Sequence, residues 1–533
     1  MSKRSVKEKP NRVSQRNQGT VDQDFEIRNG VFVRYRGKAT EVVIPDTVTT
    51  VGEDAFRGNR RLVRVVLGAH VSLIREDAFR GCTQLKSVSL PVGLLDIRQN
   101  AFFGCESLVD ISLPRTVLSL GDQCFRGCSS LRHITLSAQL ERLGAYAFCD
   151  CESLEEIAIP QGMDVVRHGV FFNCRSLKRV QLHDGIKTMG RYCFGRCEAL
   201  EEICIPETVN YIGSGAFFGC HAIKEFRIPP EVGFVADYSF ADCRSLERVE
   251  ITGDLTHIGV ESFCGCSKLS EINLPDSLQA IGPSAFAACT SLRSLTVPQS
   301  VSEIALRAFA YCSALEELEL NGALTVLEEE LFLGCSSLRS VVLPDSIAII
   351  GERAFFRCTA LEFVHIPQVL QTLGERSFAG CRRLRSVSLP TTLKRIGTRA
   401  FEGCISLHTV LLPDCYTWIG QAIFADCEQL HVLVVADARP LFRHRRDRWG
   451  VPKETQIILH SELTLALMFA ELAAEETTPE RKQELRGWIR KRIAKMKRRN
   501  HVHSVEPIRE NLAHAMAAIG EQGNAELEDE LLS

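Results

Sequence analysis

The residues with the most chemical capacity in this 533-residue chain are its 22 cysteines, because a thiolate can serve as nucleophile, metal ligand or half of a disulfide. Their spacing decides among these uses. Sixteen of them, from Cys82 to Cys427, recur every 23 residues, each three residues after a phenylalanine. One position repeated on successive coils makes a column, and small thiols in a buried column pack as modest hydrophobes. Disulfides along it are not expected. Coils about 4.8 Å apart hold the side chains wider than the Cβ separation of about 3.8 Å that a bridge prefers. Cys124 with Cys128, and Cys193 with Cys197, invite a metal reading. Cys124 and Cys193, however, share one repeat position three coils apart, roughly 14 Å, so the four cannot surround one tetrahedral ion. Cys149 and Cys264 share another position five coils apart. Cys204 lies between Ile203 and Ile205, where strand alternation turns it outward; it and Cys415 are the candidates for exposed thiols.

The remaining chemistry is sparse. The sequence holds no Gly-x-Ser-x-Gly elbow, no Walker phosphate loop, no His-Glu-x-x-His and no EF-hand loop. Glu155-Glu156 and Glu201-Glu202 could suggest acid-base work, but they recur at equivalent repeat positions, so a repeated surface charge accounts for them. The expectation is a non-enzymatic protein without cofactor or metal.

The elements that position these residues are copies of one unit. Phenylalanine recurs in seventeen copies from Phe56 to Phe424 with no insertion, and a fixed period of this length marks a solenoid. After each Phe and Cys come apolar residues at fixed offsets, as in Leu108, Ile111 and Leu113, whose last step of two is strand periodicity. A proline often closes the strand (Pro91, Pro160, Pro275, Pro390). A second apolar pair follows, often ending in Ile-Gly or Leu-Gly (Ile212-Gly213, Ile281-Gly282, Leu373-Gly374), where glycine permits the turn back. Asn59 replaces the cysteine in the first copy. Neighbouring Phe rings fall near the spacing at which offset aromatic pairs attract, which makes the Phe column a spine.

The pattern resembles the BspA-like branch of the leucine-rich repeats, with consensus Pro-x-x-Val-x-x-Ile-Gly-x-x-Ala-Phe-x-x-Cys-x-x-Leu-x-x-Val-x-Leu, over about Phe25 to Val435. The resemblance implies a leucine-rich-repeat solenoid: a curved, right-handed stack with a continuous parallel β-sheet on one face and short turns or helical segments elsewhere. It also implies binding rather than catalysis, and many members are surface or secreted proteins.

In chain order, residues 1–21 read as a disordered basic arm without the apolar run of a secretory signal, which points to the cytoplasm. Residues 22–46 read as an N-terminal hairpin cap, with Asn29-Gly30 supplying the turn. The solenoid spans 47–436 and a charged connector 437–455. An α-helical segment follows over 456–521, then an acidic tail, 522–533. Ser461 is read as capping a first helix with Leu463, Leu467, Met468 and Leu472 on one face. Thr478-Pro479-Glu480 opens a second, striped by Leu485, Trp488, Ile489, Ile493 and Met496, and Pro507 opens a third. These helices are expected to dock on the end of the solenoid, with Trp488 among the contacts. No run of 18 apolar residues exists, so no membrane span is expected.

The outward strand positions vary most and form the candidate protein-binding face: Glu156, Glu202, Glu225, Arg227, Arg248, Glu250, Glu271, Glu317 and Glu319, then Phe363 and His365. The face reads as acidic in its middle and apolar toward its end, at Val342, Phe363, Leu411, Val432 and Val434. The net charge of −3 gives no general bias toward nucleic acid. The best nucleic-acid argument is the basic run with Arg490, Lys491, Arg492, Lys495, Lys497, Arg498 and Arg499, set against a nearly neutral C-terminal segment. The function expected is a cytoplasmic protein-binding scaffold; the alternatives are a nucleic-acid-associated protein and a surface adhesin.

Overall fold

The computed structural model describes residues 24–413, 417–435, 446–474, 478–500, 509, 512–513 and 515–517. They fall into two compact units, one ending at Ile223 and the other beginning at Lys224. The basic arm, Cys415, most of the third helical stretch and the acidic tail lie outside the described residues.

The first unit opens on the expected hairpin. Strand β1 (Phe25–Arg28) pairs antiparallel with β2 (Val31–Tyr35), and Asn29 and Gly30 take the positive φ values of 49° and 77° that a two-residue turn needs. β2 then pairs in parallel with Thr50–Val51, and Phe32 stacks on Phe56 at 5.1 Å. The hairpin thereby heads the Phe column as a cap, covering an end that a repeat stack otherwise leaves bare. Glu41–Val43 already belongs to the main ladder, pairing with Arg64–Val66.

Each coil bonds to the next on three sides. The first side is the main strand, such as Arg64–Val66 on Ser87–Ser89 or Glu225–Ile228 on Arg248–Ile251, in parallel and exact 23-residue register. Between its longer strands this ladder continues through single parallel bridges, as at Ser87, Asp110 and His133 and at Arg179 and Glu202. The second side is a ladder of two-residue strands, such as Leu73–Ile74 on Asp96–Ile97, built from the second apolar pair. The third side is the turn around the phenylalanine, where Phe79 N–H donates to Ala101 O and Gly81 N–H to Phe103 O, both at 2.7 Å. Inter-coil pairing on all three sides satisfies backbone groups that a lone coil would leave exposed.

The turn itself corrects the role given to Ile-Gly. Its left-handed residues lie two before and two after each phenylalanine: Asp77 (φ 55°) and Gly81 (71°) around Phe79, Arg353 (52°) and Arg357 (60°) around Phe355. The Ile-Gly glycine is needed for close approach instead. A Cβ on Gly374 would stand 2.4 Å from the backbone of Gly351 in the preceding coil. No side chain fits there.

Between the three sides lies a core filled by the repeat positions. Rings from Phe32 to Phe217 in the first unit stack with centroids 4.9–5.8 Å apart and planes within 14°. From Phe240 to Phe424 in the second the spacing is 5.1–5.8 Å. These are the parallel arrangements that aromatic pairs favour when offset, and all the rings are buried.

The 23-residue period ends at Val435, but the ladder does not. Gln456–Leu459 adds a further parallel strand to Val432–Val435. Before it, the short helix α1 (Arg446–Trp449) puts Trp449 at the turn, where its carbonyl accepts from Phe424 N–H at 2.9 Å. Arg446 holds this coil together by donating to the carbonyls of Pro452 and Thr455. Part of the charged connector is thus a non-repeat coil.

Helix α2 (His460–Ala473) leaves this last strand directly, with Ser461 already inside it rather than capping it. α3 (Pro479–Asn500) starts as read: Pro479 is the first residue and Thr478 Oγ1 accepts from Arg481 N–H at 3.3 Å. Leu465, Ala466, Phe469 and Leu472 of α2 pack with Leu485, Ile489 and Ile493 of α3, with Ile458 of the last strand and with the partly buried Val432. The helices do dock on the strand end. Two details of the expected stripes are wrong. Leu467 is exposed, because the buried face is centred one residue away on Leu465, Ala466 and Phe469; Trp488 is 44% exposed, lying under the Arg481 guanidinium at 4.8 Å.

Candidate protein-interaction face

The chemistry of the thiols is settled by their surroundings. Each column cysteine sits one coil beyond a phenylalanine whose carbonyl faces it: Cys82 Sγ donates to Phe56 O at 3.1 Å, and Cys266 to Phe240 O at 3.1 Å. That carbonyl also accepts its own coil's backbone N–H, as Phe56 O does from Asn59 at 3.0 Å, so the thiol fills the second lone pair. Twenty-six residues before Asn59 stands Val33 of β2 instead of a repeat phenylalanine. In the first copy Asn59 Oδ1 accepts from Arg61 and Leu62 N–H. Burial pushes Cys82, Cys128, Cys312 and Cys427 up to about 12, which removes nucleophilic thiolate at neutral pH. Cys204 is exposed, as alternation requires. Among the described residues no three His, Cys, Asp or Glu side chains converge as a metal site would need.

Strand alternation turns the candidate residues from Glu156 to His365 to the outside, whereas Val434, expected at the apolar end of the face, is buried. In the first unit Glu156 and Glu202 are exposed, while Ile157 between the flanking positions is buried. In the second unit Glu225, Arg227, Arg248, Glu250, Glu271, Glu317, Glu319, Phe363 and His365 are all exposed, around the buried Phe226, Val249, Ile272, Leu318 and Val364. The two units present these residues separately.

The charged part of the second unit's face is largely self-paired. Arg227 stands opposite Glu250 and Arg248 opposite Glu271 in strand register, with side chains 3.9 and 3.7 Å apart. Glu317 and Glu319 differ. Their register partners on one side are Ser294 and Thr296, with Thr296 Oγ1 donating to Glu319 at 3.1 Å, and Val342 lies opposite Glu319 on the other. Beyond them Phe363 pairs with Ser340, and His365 with Val342. Val342 and Phe363 are 66% and 53% exposed, so an acidic pair borders an uncovered apolar patch within three coils.

In the first unit the structure reveals an order that reading only the acidic pairs missed. Between the coils with Glu155-Glu156 and Glu201-Glu202 lies Lys178-Arg179, and before them Arg132-His133. Glu156 stands opposite Arg179 in register and Arg179 opposite Glu202, while Lys178 Nζ approaches Glu155 at 3.8 Å. The two basic doublets, 23 residues to either side of Glu155-Glu156, were the available signal.

On the basic helix, Arg490 and Lys491 are exposed and Arg492 half-buried; the side chains of Lys495, Lys497, Arg498 and Arg499 lie outside the described residues. No helix among the described residues is long and apolar enough to cross a membrane.

Fold and face together define a parallel-strand β-solenoid of leucine-rich-repeat type, carrying its variable residues on the outer side of the strands. The sequence matches the BspA type leucine-rich repeat region family over residues 26–152, 118–247, 233–362 and 349–438, and the chain belongs to that family. No curated protein matches it. Among solved structures, a leucine-rich repeat protein from Bacteroides ovatus is 23% identical, with 81% of this chain and 94% of that chain covered and a TM-score of 0.39. The T. pallidum leucine-rich repeat protein is 33% identical over 34% of this chain and 90% of its own, with a TM-score of 0.33. A leucine-rich cell surface protein from Faecalibacterium prausnitzii is 24% identical, covers 76% and 89%, and has a TM-score of 0.30.

Proposed function

We propose that the chain is a non-enzymatic scaffold that binds a protein partner through the outward strand face of its second unit. The observation that carries this reading is the exposed Val342 and Phe363 beside Glu317 and Glu319. Uncovered apolar side chains rimmed by charge are the composition of a recognition patch, and aromatic anchors carry most of the energy of such contacts. The inert thiol column supports a scaffold over a catalyst.

We also infer a reducing compartment such as the cytoplasm. The column thiols act as hydrogen-bond donors, a role that needs the S–H proton. Fractionation of the source cell tests this against the surface-adhesin reading.

The test of the binding reading is affinity purification from native lysate with wild-type protein and with the F363D and E319K variants, identifying the retained proteins by mass spectrometry. A partner held by wild type and lost from both variants, with unchanged melting temperatures, supports the patch. The same partners retained by all three would move the interface elsewhere.

A further inference from the structure

The four coils from Arg132 to Glu202 alternate in sign: basic Arg132-His133, acidic Glu155-Glu156, basic Lys178-Arg179, acidic Glu201-Glu202. All eight side chains lie on the outer side of the strands, Glu155 partly exposed and the other seven exposed. The block is bounded on its N-terminal side by the mixed doublet Val109-Asp110. Alternation within the chain does little for stability. The Lys178–Glu155 pair is 3.8 Å apart with side chains 58% and 42% exposed, and such surface pairs contribute little.

An even number of alternating charges has a symmetry consequence. Reversed in order, plus-minus-plus-minus reads minus-plus-minus-plus, so the block is complementary to its own reversed copy. A two-fold axis parallel to the strands, midway between the Glu156 and Arg179 coils, sets Arg132-His133 of one chain against Glu201-Glu202 of the other. The same operation sets Glu155-Glu156 against Lys178-Arg179. An axis along the stack would instead oppose like charges. The next outward row, Thr135, Ala158, Gln181 and Cys204, is exposed and uncharged, so it opposes this approach with neither charge nor a large aromatic ring.

We propose that this face of the first unit is an isologous self-association surface, on which two copies of the chain meet with their coil order reversed. It is separate from the patch around Phe363, so either can fail without the other. A face four coils long falls well below the roughly 800 Å² per partner of a standard stable interface. The dimer is therefore weak, and its register is set by charge.

Sedimentation equilibrium of the full chain, with charge reversal, tests it. Wild type forms a concentration-dependent dimer at low ionic strength and is monomeric in about 1 M salt, where the screening length is about 3 Å. E155K/E156R and K178E/R179E each place like charges at the centre of their own dimer and are monomeric at low salt. Mixed in equal amounts, they restore all four complementary contacts and the dimer returns, which also shows that both variants are folded. A monomeric wild type, a dimer indifferent to either reversal, or a mixture that stays monomeric would each overturn the proposal.

Discussion

At the scale of single residues, the repeated cysteine shows how one side chain can be fixed by a partner in another coil. Its size suits a buried column, but its S–H also reaches the spare lone pair of the preceding phenylalanine carbonyl, as Cys105 does at Phe79 O, 3.2 Å away. Two outcomes follow. Native protein treated with a maleimide is labelled at Cys204 and not at the column cysteines, which react only after denaturation; labelling at Cys266 in the native state would contradict the buried column. The second concerns alkaline stability. Folded thiols such as Cys128 are raised by burial to about 12 from an ordinary value of 9.0, so the fold binds protons more tightly than the unfolded chain. That contribution is complete below about pH 9 and is lost as pH rises toward 12, at about 1.4 kcal/mol per pH unit for each thiol. Chemical denaturation repeated from pH 8 to 11 should show stability falling; a flat profile would mean that the thiols do not titrate as buried groups.

Elements are limited by how closely coils can approach. Gly351, Gly374 and Gly397 stack in consecutive coils, and a Cβ on any of them meets backbone within 3 Å, so Gly374→Ala must push two coils apart. We expect a loss of about 1–3 kcal/mol, the range for overpacking a tight site, read from urea midpoints. Phe240→Ala removes a ring that stacks on Phe263 at 5.3 Å and meets Phe226 edge-on at 4.6 Å. It should cost about 3–5 kcal/mol and separate the unfolding into two transitions, because coil stability is a sum of neighbour terms. One unshifted melting curve would show that the ring is not core.

For the whole molecule, the decisive question is what closes the stack after its last repeat. Gln456–Leu459 pairs along all of Val432–Val435, and α2 and α3 cover the result with Leu465, Phe469, Leu485 and Ile489. Removing residues 456–533 bares a four-residue strand edge beside apolar side chains, the arrangement that templates edge-to-edge association. The truncated chain should self-associate in light scattering at both low and high salt, unlike the salt-sensitive dimer of the first unit. A monomer that melts like the parent would show that the closing coil and helices form an independent module.

Much of this was written in the period itself. Phenylalanine every 23 residues, with cysteine three later and apolar residues at fixed offsets, determined the solenoid, its register, the buried columns and the outward side chains from Glu156 to His365, because a strict repeat repeats its burial as well. The Asn29-Gly30 turn and the Thr478-Pro479 helix start were equally local and equally legible. What the tertiary structure alone decided involved partners distant in sequence. The second lone pair on each phenylalanine carbonyl gave cysteine its use, and neighbouring backbones, rather than a turn dihedral, demanded the Ile-Gly glycine. Past Val435 the period no longer carried information, so the extra coil at Gln456–Leu459 and the exposure of Trp488 followed only from which helix face met the strand end. The candidate face shows both sides: alternation placed its residues, but which charges are neutralised depends on the neighbouring coil, as with Arg248 and Glu271, and only the assembled stack leaves Glu319, Val342 and Phe363 uncovered together.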